Sequence, residues 1–459
     1  TTGAALTVTG SLTINDAGSS ITLGNTLSIS GNLTVNGGSF SSFNFAVTVG
    51  GNFTNNAGAG GLALGSSTVT CNGSGDQTIT IGGATAGLAD FIVNKASGSM
   101  TFSDALTVGS LTVTNSGGTT FSSTLTAGTV TLTNTTGSIV FNGDVSITTS
   151  LSAAANGYNV SFNAGAGGQT SIIAGATTFS NTGTLTLGNH AADSITFTGG
   201  VTATAPSSVN IAGIIATGGG AGENISLGDG DTGVVLNTDT TLNAGAGDIT
   251  LGGTVSGAFA LTLTTTGTGT LSSTVTIASL TTNAGGTTLI NGGSITTAGN
   301  QTFNDAVTVG ANLSLNSGGG AILFANAVNA GNRNITIAAG TGAGTTTFQQ
   351  AVSNLGTGSG AALTVANGVT GLVRFQSTVT GASGIQANNV GNQVRFDDDV
   401  TLGDGDTGTA IATVEFNGLV FSGYDGFTFG AVTLSGGAVS ITSHGSSIQC
   451  TSITGSQNL

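Results

Sequence analysis

The chain has 459 residues, of which 81 are glycine, 19 acidic and 4 basic, giving a formal net charge of −15. Only 5% of its residues are charged, where ordinary soluble domains carry roughly 25%. That excludes charge-driven disorder, a coiled coil (Lys95 is the only lysine), collagen (Pro206 is the only proline), and a nucleic-acid surface, which needs clustered Lys and Arg. It also argues against anionic membranes. No apolar stretch, residues 211–216 included, approaches the about 18 that span a bilayer as a helix. What remains is Thr, Ser, Asn, Gly and β-branched residues, the chemistry of short strands and turns.

The chain begins with Thr1 and shows no signal peptide, which reads as a mature form, a fragment or a processed chain. Repeat-like text starts at Leu6-Thr7-Val8. An apolar residue, three small or polar residues, then Val or Leu recurs along the sequence. It begins at Leu23/Leu27 and Phe43/Val47, and runs through Phe102/Leu106, Phe121/Leu125, Phe141/Val145 and Phe197/Val201. It continues with Leu251/Val255, Leu271/Val275, Phe303/Val307, Phe324/Val328, Phe348/Val352, Phe375/Val379, Phe396/Val400 and Phe416/Val420. Many steps between neighbours are 19 to 21 residues, and longer ones carry Gly-rich insertions. Side chains alternate around each pair, as in Val394-Arg395-Phe396, which marks half-buried strands of three to five residues.

A period near 20 built from short strands and turns predicts an all-β fold, a single parallel β-solenoid (β-helix) with coils of about 20 residues. No linker or separate domain is evident, so one continuous solenoid is expected over residues 1–459. Roughly 23 coils at about 4.8 Å each would make a rod on the order of 110 Å long. A sandwich array, the competing all-β reading, would need longer strands and linkers. Cys71 and Cys450 would lie too far apart to bridge and read as small strand residues.

Stacked coils place like positions above one another, so a repeated charge would repel itself, whereas Thr, Asn and Ser can stack and hydrogen-bond. Arg374, Arg395 and Glu415 each precede a Phe in successive coils. Arg395 and Glu415 are therefore expected to be neighbours of opposite sign.

Residues 50–113 carry Gly-Gly-Asn-Phe-Thr-Asn, Ser67 to Ile79 (Ser-Thr-Val-Thr-Cys-Asn-Gly-Ser-Gly-Asp-Gln-Thr-Ile), Phe91-Ile92-Val93-Asn94-Lys95 and Thr101-Phe102-Ser103-Asp104-Ala105-Leu106. This text resembles the β-strand repeats of large bacterial cell-surface and secreted proteins. The whole chain is similar to filamentous-haemagglutinin-like β-solenoids, although it lacks the Asn-Pro motifs of their secretion domain. The resemblance implies an extracellular or cell-surface location and a role in adhesion, coats or fibres.

Candidate sites are few. Leu-Gly-Asp-Gly-Asp-Thr-Gly occurs at 227–233 and 402–408. Asp229 and Asp231, and Asp404 and Asp406, could wrap calcium with oxygen ligands. The simpler reading is a tight turn with local Asp hydrogen bonds. Asp397-Asp398-Asp399 forms an acidic corner that reads as a solvated turn, with Asp398 the residue a polysaccharide-cleaving site would need. His190 and His444 are isolated and read as surface residues. A second turn signature, Asn-Ala-Gly-Ala-Gly, repeats at 56–60, 163–167 and 243–247. Thr-x-Thr runs are similar to those of ice-binding solenoids, but the outward position varies too much for a regular Thr face. Aromatics gather toward both ends: Phe40 and Phe43, then Phe421, Tyr424, Phe427 and Phe429. They read either as a wider core or as a contact between copies.

The leading expectation is a non-enzymatic structural protein that builds a fibre or surface layer by homotypic contacts, with end-to-end stacking as one form of them and self as partner. An adhesin stalk or a module binding surface glycans is the alternative, and a polysaccharide lyase or hydrolase ranks third. No nucleic acid, no membrane span and no cofactor beyond calcium are expected.

Overall fold

The structure, a computed structural model, describes residues 4–81 and 88–455. The chain divides into two units, Thr1–Thr238 and Asp239–Leu459. Both are all-β parallel solenoids, and together they make about 21 turns of roughly 21 residues. The coil slightly exceeds the expected 20 because corners such as 163–169 and 188–193 are longer than their neighbours. Among the described residues the only helical segments are two 3-10 turns, Ala59–Gly61 and Ala339–Thr341.

In the first unit, one column runs Leu6, Leu27, Val47, Val69, Phe91, Leu111, Val130 and Leu151, each residue paired in parallel with the next and buried from Leu27 onward. A second runs Leu12, Leu33, Phe53, Ile79, Phe102, Phe121 and Phe141. Parallel pairing at a fixed register follows from the period, because a slip of one residue would turn every apolar side chain outward. The Phe102, Phe121, Phe141 and Phe162 rings stack nearly parallel at centroid spacings of 4.6, 4.9 and 4.6 Å. The coil spacing imposes that distance. Polar ladders run on the outside: Asn36 donates its amide to Asn15 Oδ1, and Asn56 donates to Asn36 Oδ1, both at 2.8 Å.

The second unit repeats this plan. Its aromatic column is Phe303, Phe324, Phe348, Phe375, Phe396 and Phe416. A valine-rich column runs Val307, Val328, Val352, Val379 and Val400 to Phe421. The Phe/Val spacing of the sequence is therefore the distance between two inward columns around one corner.

Two pairs depart from the rule. Phe43 has φ 46° and is 66% exposed, and the fully buried Ser42 beside it takes the inward place above Leu23. Val420 is 45% exposed, while Phe421 pairs with Val400. In each case the corner holds four residues, 43–46 or 417–420, where its neighbour holds three, and left-handed residues (Phe43 and Asn44, or Gly418) accommodate the extra one. Cys71 and Cys450 are both free. Burial pushes the Cys71 thiol up to about 12, so it stays a neutral core residue.

Candidate functional site

The charged column of the second unit forms as the spacing requires. Arg374 pairs with Arg395 and Arg395 with Glu415 in register. Arg395 Nη1 lies 3.1 Å from Glu415 Oε1, the expected opposite-sign contact. Two guanidiniums in adjacent coils would still repel, and Asp397 resolves this. Arg374 Nε donates to Asp397 Oδ2 at 2.5 Å, and Arg395 Nε donates to Oδ1 at 2.6 Å. Asn417 Nδ2 donates to the same Oδ1 at 3.0 Å. Burial opposes ionisation of Asp397, but the hydrogen bonds from Arg395, Arg374 and Asn417 outweigh it and hold the carboxyl below the usual carboxylate range.

The acidic corner thus divides. The Asp397 side chain is only 9% exposed, unlike the solvated turn expected of it. Asp399 is exposed, and Asp398 accepts the Asp399 main-chain N–H at 2.8 Å. Replacing Asp397 with Ala leaves two facing cations. The expected cost is about 2 kcal/mol, below the roughly 3–5 of a fully buried pair because both guanidiniums reach water. The wild-type contribution is present above the unfolded carboxyl pKa and fades as pH falls through the lower folded value. Urea titrations of both proteins between neutral and acid pH would show the gap closing.

Other buried carboxylates serve corners. Asp193 accepts the main-chain N–H groups of Gln169, Asn189 and His190 at 2.8, 2.8 and 2.9 Å. Asp305 is 2% exposed and accepts Gly286 N–H at 2.9 Å and the Thr288 hydroxyl at 3.3 Å. Burial pushes the Asp305 carboxyl up despite these donors. A raised carboxyl pKa means that the folded state takes up a proton first, so this group adds stability as pH falls toward its unfolded pKa. Asp305→Asn is expected to be near neutral at pH 7 and to flatten that acid-side gain, read from melting curves across the range.

The calcium candidates sit in turns. Asp229 Oδ1 accepts the N–H groups of Asp231 and Thr232 at 3.0 and 2.9 Å. Asp406 Oδ1 accepts Gly360 N–H at 2.6 Å, tying down a loop 46 residues earlier. Asp231 and Asp404 are exposed. Burial, then the carboxylates of Asp404 and Asp406, raise the Asp425 carboxyl above its usual value. Among the described residues no three His, Cys, Asp or Glu side chains converge as a metal site.

Of the aromatic candidates, Phe40, Phe421, Phe427 and Phe429 are buried. Phe421 packs edge-on against Phe427 at 5.1 Å. Tyr424 is 52% exposed, with its ring 5.1 Å from that of His444. A contact between copies at these places would use Phe43 and Tyr424, which reach solvent.

Lys95, the only lysine, is no surface charge. It is fully buried, and its ammonium donates to Gly73 O, Gly75 O and Gln77 Oε1 at 2.8, 2.8 and 2.7 Å. Gln77 in turn donates to Val49 O at 3.1 Å and to Gly51 O at 2.5 Å, so a polar spine crosses three coils. Strand alternation carries the signal: Phe91 and Val93 point inward, and Lys95 continues that phase.

No protein-family model, curated protein or solved structure matches the chain. No helix among the described residues is long and apolar enough to cross a membrane.

Proposed function

We propose that the chain is a non-enzymatic structural β-solenoid that works outside the cell, building a fibre or surface layer through contacts between copies. The observation that carries this reading is where the scarce charge goes. Lys95, Arg374, Arg395, Asp397 and Glu415 all bond to neighbouring coils. Asp193 and Asp305 likewise hold corners together. Reactive side chains are thus used to join coil to coil. The likeness of the repeats to bacterial surface and secreted proteins supports an extracellular location. The neutral Thr, Ser and Asn faces support association, because they carry little like-charge repulsion between copies. Electron microscopy of purified protein at rising concentration tests the reading. Fibres or ordered sheets are expected, and dispersed single particles at every concentration would contradict it. An adhesin or glycan-binding module is the second reading, favoured by the groove described next.

A further inference from the structure

The repeated Asn-Ala-Gly-Ala-Gly turn at 163–167 has a consequence beyond a scaffold. Corners 122–124 and 142–144, between Phe121 and Leu125 and between Phe141 and Val145, have three residues each. The next corner, 163–169, has seven, and it overhangs the two before it. Gly165 lies so close to the corner beneath that a Cβ there would come within 2.3 Å of Asn142 O. Between these corners is an open groove of about 460 Å³.

The overhanging loop is held from several sides. Asn163, at φ 51°, donates to Gln169 O at 3.1 Å and Ser194 O at 3.3 Å, and accepts the Ser171 hydroxyl at 2.6 Å. Asn189 Nδ2 donates to Ala164 O at 2.9 Å, and Asp193 Oδ1 accepts Gln169 N–H at 2.8 Å. The groove wall is therefore preorganised, which lowers the entropic cost of binding.

Its lining is polar and mostly unspent. The hydroxyls of Ser122, Ser123 and Thr124 and the amide of Asn142 make no hydrogen bond among the described residues. Asp144 uses one carboxylate oxygen to accept Thr170 N–H at 2.8 Å. Gln169 donates to Ala166 O at 3.3 Å, which leaves Oε1 shielded from water with no partner. That oxygen is closed to a ligand as it is to water, so the Gln169 amide meets the groove through its Nε2 side.

We infer that this groove binds a short neutral or amino oligosaccharide. A chain of hydroxyls supplies both donors and acceptors to three hydroxyls, two amides and one carboxylate. A peptide would need apolar side-chain pockets, which this lining lacks. An anionic glycan would meet Asp144 and the −15 net charge. Three stacked corners span roughly 10 Å, which suits a short saccharide lying along the coil stack. The site does not depend on the scaffold reading and could coexist with it.

The test is an array of immobilised neutral, amino and uronic oligosaccharides, with a peptide library alongside. It is probed with wild type, Asn142→Ala and Gln169→Ala, after circular dichroism and melting confirm folding. Wild type is expected to retain neutral or amino glycans, and each variant to bind them about tenfold more weakly, the equivalent of one lost hydrogen bond. Asn142→Ala removes no intramolecular bond, so it decides the matter if Gln169→Ala is unstable. Retention of no glycan, retention of uronic glycans or peptides only, or equal binding by Asn142→Ala would each overturn the site.

Discussion

Phe348→Ala is expected to destabilise the second unit by about 3–5 kcal/mol, the range for removing a buried aromatic side chain. Phe348 is 1% exposed and stacks on Phe324 and Phe375, both at 4.7 Å with interplanar angles of 4°. Removing it opens a gap in a column whose members are fixed at the coil spacing, so the neighbouring rings cannot close on one another. The outward neighbour Thr347→Ala should change stability by no more than about 0.5 kcal/mol. Because each coil touches only those next to it, the loss should be local. Hydrogen exchange should speed up first in Ile322–Phe324, Thr346–Phe348 and Leu372–Phe375. Uniform loss of protection across the unit, or a cost under about 1 kcal/mol, would count against an aromatic column.

Lys95→Met should cost the first unit about 2–4 kcal/mol. Replacing a buried ion pair with apolar residues is often neutral, because both charges leave together. Here the acceptors are neutral and remain. Gly73 O, Gly75 O and Gln77 Oε1 would lose their shared donor, and each unsatisfied buried acceptor costs roughly 1–3 kcal/mol. The relief of burying no charge offsets part of that. The pH dependence has a definite sign. Burial holds the Lys95 pKa below its usual value of 10.5, against the opposing pull of Asp76. Between the lowered folded value and 10.5, the unfolded chain binds more protons, so wild-type stability rises with pH relative to Lys95→Met. Denaturant midpoints of the two proteins from neutral pH upward measure this difference, and a gap that narrows with pH would contradict it.

Much of the fold was legible because a solenoid writes its period into the chain. Residues 303, 324, 348, 375 and 396 are inward Phe, and residues 374, 395 and 415 share a column, as their spacing demanded. Corners were less legible. Alternation sets the direction of a strand residue but not of a turn residue, so Asp397 looked like one solvated acid among three. Its place between Arg374 and Arg395 depends on how the corner turns. One extra residue in the corners 43–46 and 417–420 leaves the apolar spacing looking regular but puts Phe43 and Val420 outside. The groove at 163–169 depends on the difference in length between adjacent corners, which no single motif records.

Distances along one outward column test most directly whether the coils stack in parallel and in strict register. In the second unit, Thr262, Thr281, Thr302, Leu323 and Thr347 lie in successive coils, followed by Arg374, Arg395, Glu415 and Thr433. Spin labels at Thr262 and Thr347 should give a pulsed-dipolar distance near 19 Å, and labels at Thr262 and Thr433 one near 38 Å, in proportion to the coils crossed at about 4.8 Å each. Distances that fail to double between the two pairs would contradict the stacked register.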